Sequence, residues 1–479
     1  MMDRRHFLKL AATSPVSAQF TASGIANGLG LLAGGNPLAA VMAGLGTGLG
    51  LAAADPAQAA SAASDYRAVV CIFLSGGNDG NNCLIPVDGA YADYSRARPD
   101  LAQAKDSLAK LNGSSAGHTF GMHAALAPLA GLYNAGRLAW LANVGPLVQP
   151  ATARQVLDRA VSVPSFLLSH SDQVLWQQGW LGDADTSGWA GRALELLPGS
   201  LRHDLNAVTM TTNRTLVAGR NSPVTFLSPY DNRWWGQADI LSAQSASTQA
   251  LNQLARAQFA NQYVGEYSKT LSRSVQETTT FTQAAQGANA PKGTFGSDEL
   301  AQNLKKLATL LPALKARGLK RQVFLLQWGS FDTHSGQLGS GKQSQDSQLA
   351  LVAKAMAAFD QSMQAAGMDQ NVVSLMMTDF GRTLRQASGG GTDHAWGNHW
   401  FAMGGPVAGG QVLGTFPNLV LGGVDDMDRG KEGRFVPATS TDQVAASLMQ
   451  WLGLPAGQLL TVFPHLANFS QKTVPLIRT

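Results

Sequence analysis

Residues 371–401 read NVVSLMMTDFGRTLRQASGGGTDHAWGNHWF, and this stretch decides how the rest of the chain is read. An apolar run, Val372 to Met377, stops at Asp379, and a glycine-rich loop then leads to Asp393, His394 and His399. A short apolar run between polar loops is typical of a buried strand. An open α/β sheet places ligands just beyond the carboxyl ends of its strands. We therefore expect this loop to form half of a metal site.

A second strand upstream supplies the other half of the predicted site. Residues 322–327 are apolar and lead into Trp328-Gly-Ser-Phe-Asp-Thr-His334, which places Asp332 and His334 at the strand end. Residues 345–366 carry apolar side chains at helical spacing and connect the two strands. A strand, a helix and a strand in this order predict a parallel βαβ unit. Parallel strands bring both loops to the same edge of the sheet.

The start of the sheet shows the same arrangement. Residues 67–75, RAVVCIFLS, predict a first strand that ends in a glycine-rich loop containing Asp79. The loop either aims Asp79 at the site or forms an ordinary Asp-Gly turn. A helix over 120–137 and a strand over 138–145 follow. The sequence thus predicts an α/β fold, with an open, mostly parallel sheet and helices on both faces.

Composition limits the function classes. The chain has 479 residues, of which 45% are hydrophobic and 14% charged, which is enough for a large core. The net charge of +4 comes without a long Lys/Arg run, so nucleic acid is not expected as a partner. The two cysteines, Cys71 and Cys83, exclude a disulfide framework, and Cys71 falls within the first strand as a core residue.

The N-terminus carries a targeting pattern. It opens MMDRRHFLKL, and no further charge appears until Asp55. The pair Arg4-Arg5 before Phe7-Leu8-Lys9 resembles a twin-arginine export signal, which implies the export machinery as a partner and a periplasmic or secreted bacterial protein. The alternative is a membrane anchor over 37–53, but glycines interrupt that run, so no stable membrane span is expected. Residues 1–60 are therefore set apart as a leader, and 61–479 are expected to form one domain with a less regular insert or cap around 200–297.

A polar tetrad in the middle of the chain is the candidate for catalysis. Ser169, His170, Ser171 and Asp172 precede a predicted helix. Serine or aspartate at such a place most often caps the helix. A serine there can also be an activated nucleophile, because the helix N-terminus stabilises oxyanions. His170 fits a metal ligand, a base or a surface residue.

The strand ends together form a set of acids and imidazoles that suits divalent zinc or manganese. Two such ions need about six protein ligands and can clamp the attacking and leaving oxygens of a phosphoryl or sulfuryl transfer. In the alternative, some of these carboxylates only cap helices or pair with Arg382 and Arg385. The predicted ligands are Asp79, Asp332, His334, Asp379, Asp393, His394 and His399.

Several segments together resemble a known family. They include VCIFLSGGNDGNNCLIPVD, FGMHAALAPLAGLY, LSHSDQVLWQQG, WGSFDTH, TDFGRT and GGGTDHAWGN. The chain is similar from about Ala68 to Phe469 to the exported bacterial domain-of-unknown-function family 1501, within the alkaline-phosphatase-like superfamily of phosphatases and sulfatases. The resemblance implies that fold. It also implies that Asp79 is the first-strand metal aspartate, that Asp332 and His334 are a later ligand pair, and that Asp379 and Asp393-His394 complete the site.

The sequence departs from the family pattern at two places. The usual Asp-His-Gly-His loop is Asp393-His394-Ala395-Trp396 here, so the second histidine is missing, and His399 is a possible replacement. The superfamily's Asp-His-Gly after the strand is Asp379-Phe380-Gly381 here, which removes another imidazole. The superfamily's nucleophile has no clear match, although Ser169 and Ser171 lie in the corresponding chain order.

Three functions follow from these observations. The first is a periplasmic metal-dependent hydrolase of small anionic phosphate or sulfate esters, in which Ser169 or Ser171 attacks and Arg382 binds the anionic group. The alternative is a non-catalytic exported binding or surface protein that keeps the fold with a degraded site, which the missing imidazoles motivate. An oxidoreductase is suggested only by the export signal, and the chain has no dinucleotide fingerprint.

Overall fold

The structure is a computed structural model, and it describes residues 65–165, 167–170, 176–179, 185–228 and 246–478. Residues Ala62–Thr479 form one compact unit. The export segment over 1–60 and Ser171 lie outside the described residues, so the predictions made for them stay predictions. No helix in the described part of the chain is both long and apolar enough to span a membrane.

The elements are numbered in chain order. The strands are β1 (Arg67–Leu74), β2 (Leu84–Pro86), β3 (Ala109–Lys110), β4 (Phe120–Met122), β5 (Leu138–Gly145), β6 (Ala207–Thr209), β7 (Thr225–Phe226), β8 (Arg321–Trp328), β9 (Val372–Thr378), β10 (Gly381–Arg382), β11 (His394–Ala395), β12 (Asn398–Met403), β13 (Gln411–Leu413) and β14 (Thr439–Ser440). The α-helices are α1 (Tyr91–Ala97), α2 (Ala127–Asn134), α3 (Ala153–Leu157), α4 (Trp189–Glu195), α5 (Ala246–Arg256), α6 (Gln262–Ala285), α7 (Glu299–Ala316), α8 (Gln345–Ala365), α9 (Thr441–Leu452) and α10 (Leu459–Val462).

The central sheet has the strand order β13-β5-β12-β9-β1-β8-β6-β7, and β14 also pairs with β5. β1 pairs in parallel with β8 on one side and with β9 on the other. β12 is inserted antiparallel between β9 and β5, and the remaining pairings in this sheet are parallel. The predicted open, mostly parallel α/β fold is confirmed.

Helices cover both faces of the sheet, and the side chains on both sides of its central strands are buried. Along β1, Val70 and Ile72 join one apolar core, which also takes side chains from α2, α7 and α8. The alternate residues Val69 and Cys71 join a second core, with α4, α9 and α10. A strand that is buried on both faces reads as a continuous apolar run, which is why β1 was visible in the sequence. Cys71 and Cys83 are buried free thiols.

Part of the insert or cap expected around 200–297 is helical. α6 continues through the Thr/Gln-rich stretch to Ala285, because Phe281 and Ala284 are buried in the core beside α7. Residues 418–423 form turns, because the Asp426 carboxylate accepts the amides of Gly422 and Gly433 and folds the segment back. The carboxylate satisfies amides that a strand would have paired with a neighbour.

Candidate metal centre

The loop after β8 carries the first two site residues. Asp332 lies at the carboxyl edge of the sheet, and the guanidinium of Arg382 fixes it by donating from Nη2 to Oδ1 at 2.5 Å. His334 follows, with its Nε2 3.1 Å from the same carboxylate oxygen. The Asp-x-His spacing predicted from the sequence thus places both side chains at one point.

A small hairpin brings the third residue back over this edge. β10 and β11 pair antiparallel, with Arg382 opposite His394. The His394 ring packs against Phe380, with ring centres 4.2 Å apart, and its Nε2 lies 3.1 Å from Oδ1 of Asp332. The loop that begins at Asp379 therefore returns to the site, as its sequence predicted.

Three atoms in this cluster form a triangle with equal sides. The Nε2 atoms of His334 and His394 are 3.1 Å apart, and each is 3.1 Å from Oδ1 of Asp332. Zinc binds nitrogen and oxygen at about 2.0–2.2 Å with tetrahedral geometry, so its ligand atoms lie roughly 3.3 Å from one another. The spacing of the triangle is that of one face of such a coordination sphere.

The Nδ1 atoms of His334 and His394 each have a hydrogen-bond acceptor. His334 Nδ1 is 2.9 Å from Oδ1 of Asp393, and His394 Nδ1 is 2.9 Å from the carbonyl oxygen of Leu168. Both partners are acceptors, so both Nδ1 atoms donate to them, and the Nε2 atoms of both rings face inward. The inward Nε2 atoms face each other and the Asp332 carboxylate. A neutral ring presents a lone pair there, and a positive charge, either a proton or a metal ion, offsets the repulsion between lone pairs and carboxylate.

His170 approaches the same point from a different loop. Its Nε2 is 3.4 Å from Oδ2 of Asp332, and its Nδ1 is 4.0 Å from Oδ2 of Asp379. His170, Asp332 and His394 each offer one ligand atom, and these three atoms lie within 4.8 Å of one another. Leu168 has a φ of 66°, a left-handed conformation that is uncommon for a non-glycine residue. Its carbonyl oxygen accepts the hydrogen bond from Nδ1 of His394.

Electrostatics keep Asp332 ionised. Burial raises the pKa of this carboxyl, but the hydrogen bonds from Arg382 and His394 and the charges of Arg382 and His334 outweigh burial and lower the pKa to about 2. A carboxylate that stays charged at neutral pH is the form that ligates a metal.

Asp379 plays a different part from the one predicted. It is fully buried, and its two carboxylate oxygens accept the backbone amides of Gly76 and Gly77, while the hydroxyl of Thr378 donates at 3.1 Å. Gly76 and Gly77 have positive φ angles of 100° and 77°, which turn both amides toward the carboxylate. Burial raises the pKa of Asp379 against the lowering effect of these amides. Nδ1 of His170 lies 4.0 Å from Oδ2 of Asp379.

Residues 66–427 match the family described as "Protein of unknown function (DUF1501)". The chain belongs to the DUF1501 family. The resemblance seen in the sequence is thereby confirmed at the level of the family. The comparison with curated proteins gave no match.

Solved structures show distant likenesses to this DUF1501 protein. The lipoteichoic acid synthase LtaP from Listeria monocytogenes is 10% identical, with 82% of this chain and 74% of that chain covered and a TM-score of 0.31. A 2-O GAG sulfatase is 12% identical over 83% and 74%, with a TM-score of 0.28. The phosphonate monoester hydrolase SpPMH from Silicibacter pomeroyi is 9% identical over 81% and 74%, with a TM-score of 0.32. The fold described above rests on the strand order and not on these likenesses.

Two predicted ligands of the DUF1501 protein do not join the cluster. Asp79 is buried and paired with the guanidinium of Arg98 at 2.5 Å, and it does not belong to the group of described side chains whose ligand atoms could hold a metal ion. His399 lies in β12, where its Nδ1 accepts the amide of Asn143 at 3.1 Å and its ring stacks on Phe416. Burial lowers the pKa of His399 to about 3, which keeps it neutral in the core. It does not replace the histidine that is missing at Trp396.

Arg382, which was predicted to bind the anionic substrate, has a structural role instead. Arg382 is buried and donates to four backbone carbonyls, those of Gly76, Gly77, Phe331 and Thr392, besides Asp332. It therefore holds the loops of the site together, and it is not available to bind a substrate anion. Ser169 is half-buried next to His170 in the chain, and its role as a nucleophile stays a prediction.

The sequence left His170 open between a metal ligand, a base and a surface residue, and did not place it beside Asp332. The sequence around it, SFLLSHSDQV, has no strand-end pattern, so the pairing with Asp332 has no local signal. Phe380 is the only indirect hint, because the imidazole expected there was missing. His170 supplies one in the same space, with its ring centre 5.4 Å from that of Phe380.

Proposed function

We propose that this chain binds a divalent metal ion through Asp332, His334, His394 and His170. The observation that supports the proposal most strongly is the 3.1 Å triangle, in which the Nε2 atoms of two imidazoles and a carboxylate oxygen converge on one point. A donor set rich in imidazole favours zinc, whereas manganese prefers more oxygen ligands.

Outer hydrogen bonds orient the ligands in this proposal. Asp393 accepts from Nδ1 of His334, the Leu168 carbonyl accepts from Nδ1 of His394, and Asp379 lies on the Nδ1 side of His170. Ligating histidines in proteins usually donate their other N–H in this way, which fixes the ring and raises its basicity. The predicted ligands Asp393 and Asp379 thus support the ion from outside its coordination sphere.

The reaction that this centre fits best is hydrolysis of a small phosphate or sulfate ester. A divalent ion at this place supplies Lewis acidity toward an oxygen of the ester. The chain binds the ion, keeps Asp332 charged through Arg382 and orients the three imidazoles. Ser169, one residue before His170, is the candidate nucleophile. His334 and His170 are about half exposed, so a substrate can reach the centre from solvent.

Purified protein tests the proposal in two steps. Metal content is measured first, and turnover of aryl phosphates and aryl sulfates is then measured beside an Asp332→Ala/His334→Ala variant. His118→Ala is the matched control, because His118 Nδ1 also pairs with an aspartate, Asp88, at 2.9 Å, without other imidazoles. We expect zinc and activity in wild type and control and neither in the double variant. Equal activity in all three would refute the assignment.

One observation favours the second function, a metal-binding protein without turnover. Arg382, the cation expected to hold an anionic substrate, is fully buried and hydrogen-bonded to the chain's own carbonyls. The same assay separates the two functions, since bound zinc without turnover of any tested ester would favour the binding protein.

We also propose that the protein is exported through the twin-arginine route to the periplasm. The proposal is supported by Arg4-Arg5 before Phe7-Leu8-Lys9 in the sequence. An Arg4→Lys/Arg5→Lys variant should remain in the cytoplasmic fraction after cell fractionation, and unchanged export would contradict the proposal.

A further inference from the structure

The carboxylate at the end of β1 raises the question of how many ions the site holds. Asp79 follows the first strand at the same sheet edge as Asp332 and Asp379, and the sequence had suggested a centre with two ions. Asp79 is fully buried, and so is its partner Arg98. The contacts of this pair determine whether a second ion can bind there.

Every acceptor site on Asp79 is already occupied. Its Oδ1 accepts from Nη2 of Arg98 at 3.0 Å and from the Asn81 amide at 3.1 Å. Its Oδ2 accepts from Nη1 of Arg98 at 2.5 Å and from the Gln337 side chain at 2.6 Å. An ionised carboxylate offers about four lone-pair positions, so none remains for a metal.

Arg98 is equally saturated. Its Nε donates to the Leu384 carbonyl at 2.7 Å, and Nη2 donates to the Thr383 carbonyl at 2.7 Å besides Asp79. Its Nη1 donates to the Asn82 side chain at 2.6 Å besides Asp79. All five donors of a guanidinium are therefore used. An Arg–carboxylate pair with two parallel hydrogen bonds is the strongest geometry of its kind, and breaking a buried pair leaves an uncompensated charge.

We infer that the Arg98 guanidinium takes the place of a second metal ion, so that the proposed centre holds one ion per chain. The inference rests on the proposed function and deepens it. Asp79 needs a cation, because a buried carboxylate without one is strongly disfavoured. Arg98 is a permanent cation that is part of the chain and cannot be removed by a chelator. The exchangeable ion is confined to the cluster of Asp332 and the three imidazoles.

Metal counting by mass spectrometry, after equilibrium dialysis against a modest excess of zinc, tests the inference. We expect one zinc per wild-type chain, no zinc in a His170→Ala/His394→Ala variant, and one zinc in Asp79→Asn/Arg98→Met, which removes both buried charges together. Near-ultraviolet circular dichroism shows whether each variant keeps its packing. The wild-type count stands even if a variant fails to fold.

The outcomes separate this inference from the proposed function. Two zinc ions per wild-type chain would overturn the inference and leave the metal-dependent function standing. No zinc in the wild type would overturn both. A folded Asp79→Asn/Arg98→Met protein that has lost its ion would make Asp79 a ligand, and it would overturn the inference as well.

Discussion

The hydrogen bond between Asp393 and His334 offers a graded test of the metal centre. Asp393→Ala removes the acceptor that fixes the His334 ring with Nε2 turned inward. A hydrogen bond to a charged group contributes about 1.5–3 kcal/mol. Both side chains are half exposed, at 48% and 50%, so solvent screening places the loss at the lower end of that range. A loss of about 1.4 kcal/mol is tenfold in an equilibrium constant, so zinc affinity should fall by about tenfold.

Asp393→Asn should lose less affinity than Asp393→Ala. The amide oxygen of asparagine can still accept from Nδ1, but the charge is gone, so roughly half of the effect should remain. Competition for zinc with a fluorescent chelator at neutral pH measures both dissociation constants. Asp88→Ala is the matched control, because it breaks the same contact, 2.9 Å long, at His118.

The result that would refute this reasoning is specific. If Asp393→Ala binds zinc within twofold of wild type, the oriented His334 is not a ligand. If Asp88→Ala weakens binding as much as Asp393→Ala, the effect is not local to the centre. Either result would contradict the role of Asp393 in orienting His334 as a metal ligand.

Three further predictions concern residues around the centre. Arg382→Met should lower the free energy of unfolding in urea by about 3 kcal/mol, because it leaves the partly buried Asp332 without its guanidinium partner. A loss below about 1 kcal/mol would contradict the role of Arg382 in holding the loops of the site together. His399→Ala should lower the free energy of unfolding by about 2 kcal/mol, since the buried amide of Asn143 loses its acceptor, while zinc content stays unchanged; a loss of zinc would restore His399 as a ligand. Burial raises the pKa of Asp442 to about 7 from 3.8, so the folded state holds a proton that the unfolded state releases between these values. Stability from this group is therefore greatest below the unfolded pKa of 3.8 and is lost as pH rises to about 7, so Asp442→Asn should flatten the decline in urea stability over that range; an unchanged slope would contradict the shift.

The strands that carry the site were predictable because their signal is local. β1, β8 and β9 are buried on both faces and read as continuous apolar runs, and their observed bounds lie within one residue of those predicted. The acids at their ends were visible for the same reason, since a strand that stops abruptly at a carboxylate marks the sheet edge. Asp332 and His394 lie close together because both follow parallel strands that end at the same edge of the sheet.

The roles of Asp79 and His170 could not be read from the sequence. Asp79 follows β1 as a metal aspartate would, but Arg98, nineteen residues later, folds back and pairs with it. His170 reaches Asp332 from a loop without periodicity. Both outcomes depend on contacts between distant parts of the chain, and no local pattern encodes them.

β12 illustrates the same limit on the fold itself. His399 was expected on the loop that follows β9, but residues 398–403 form the antiparallel strand between β9 and β5. The run is six residues long and contains Asn398 and His399, so its apolar pattern is interrupted. Pairing on both sides and burial of both faces override that weak local preference.

Anomalous diffraction from crystals of the zinc-loaded protein tests the central claim most directly. The structure predicts a single peak among the Nε2 atoms of His170, His334 and His394 and the carboxylate of Asp332, at about 2.0–2.2 Å from each ligand atom. No peak should lie beside Asp79. A map without density at the imidazole cluster, or with its only peak elsewhere, would contradict the assignment of these residues as a metal centre.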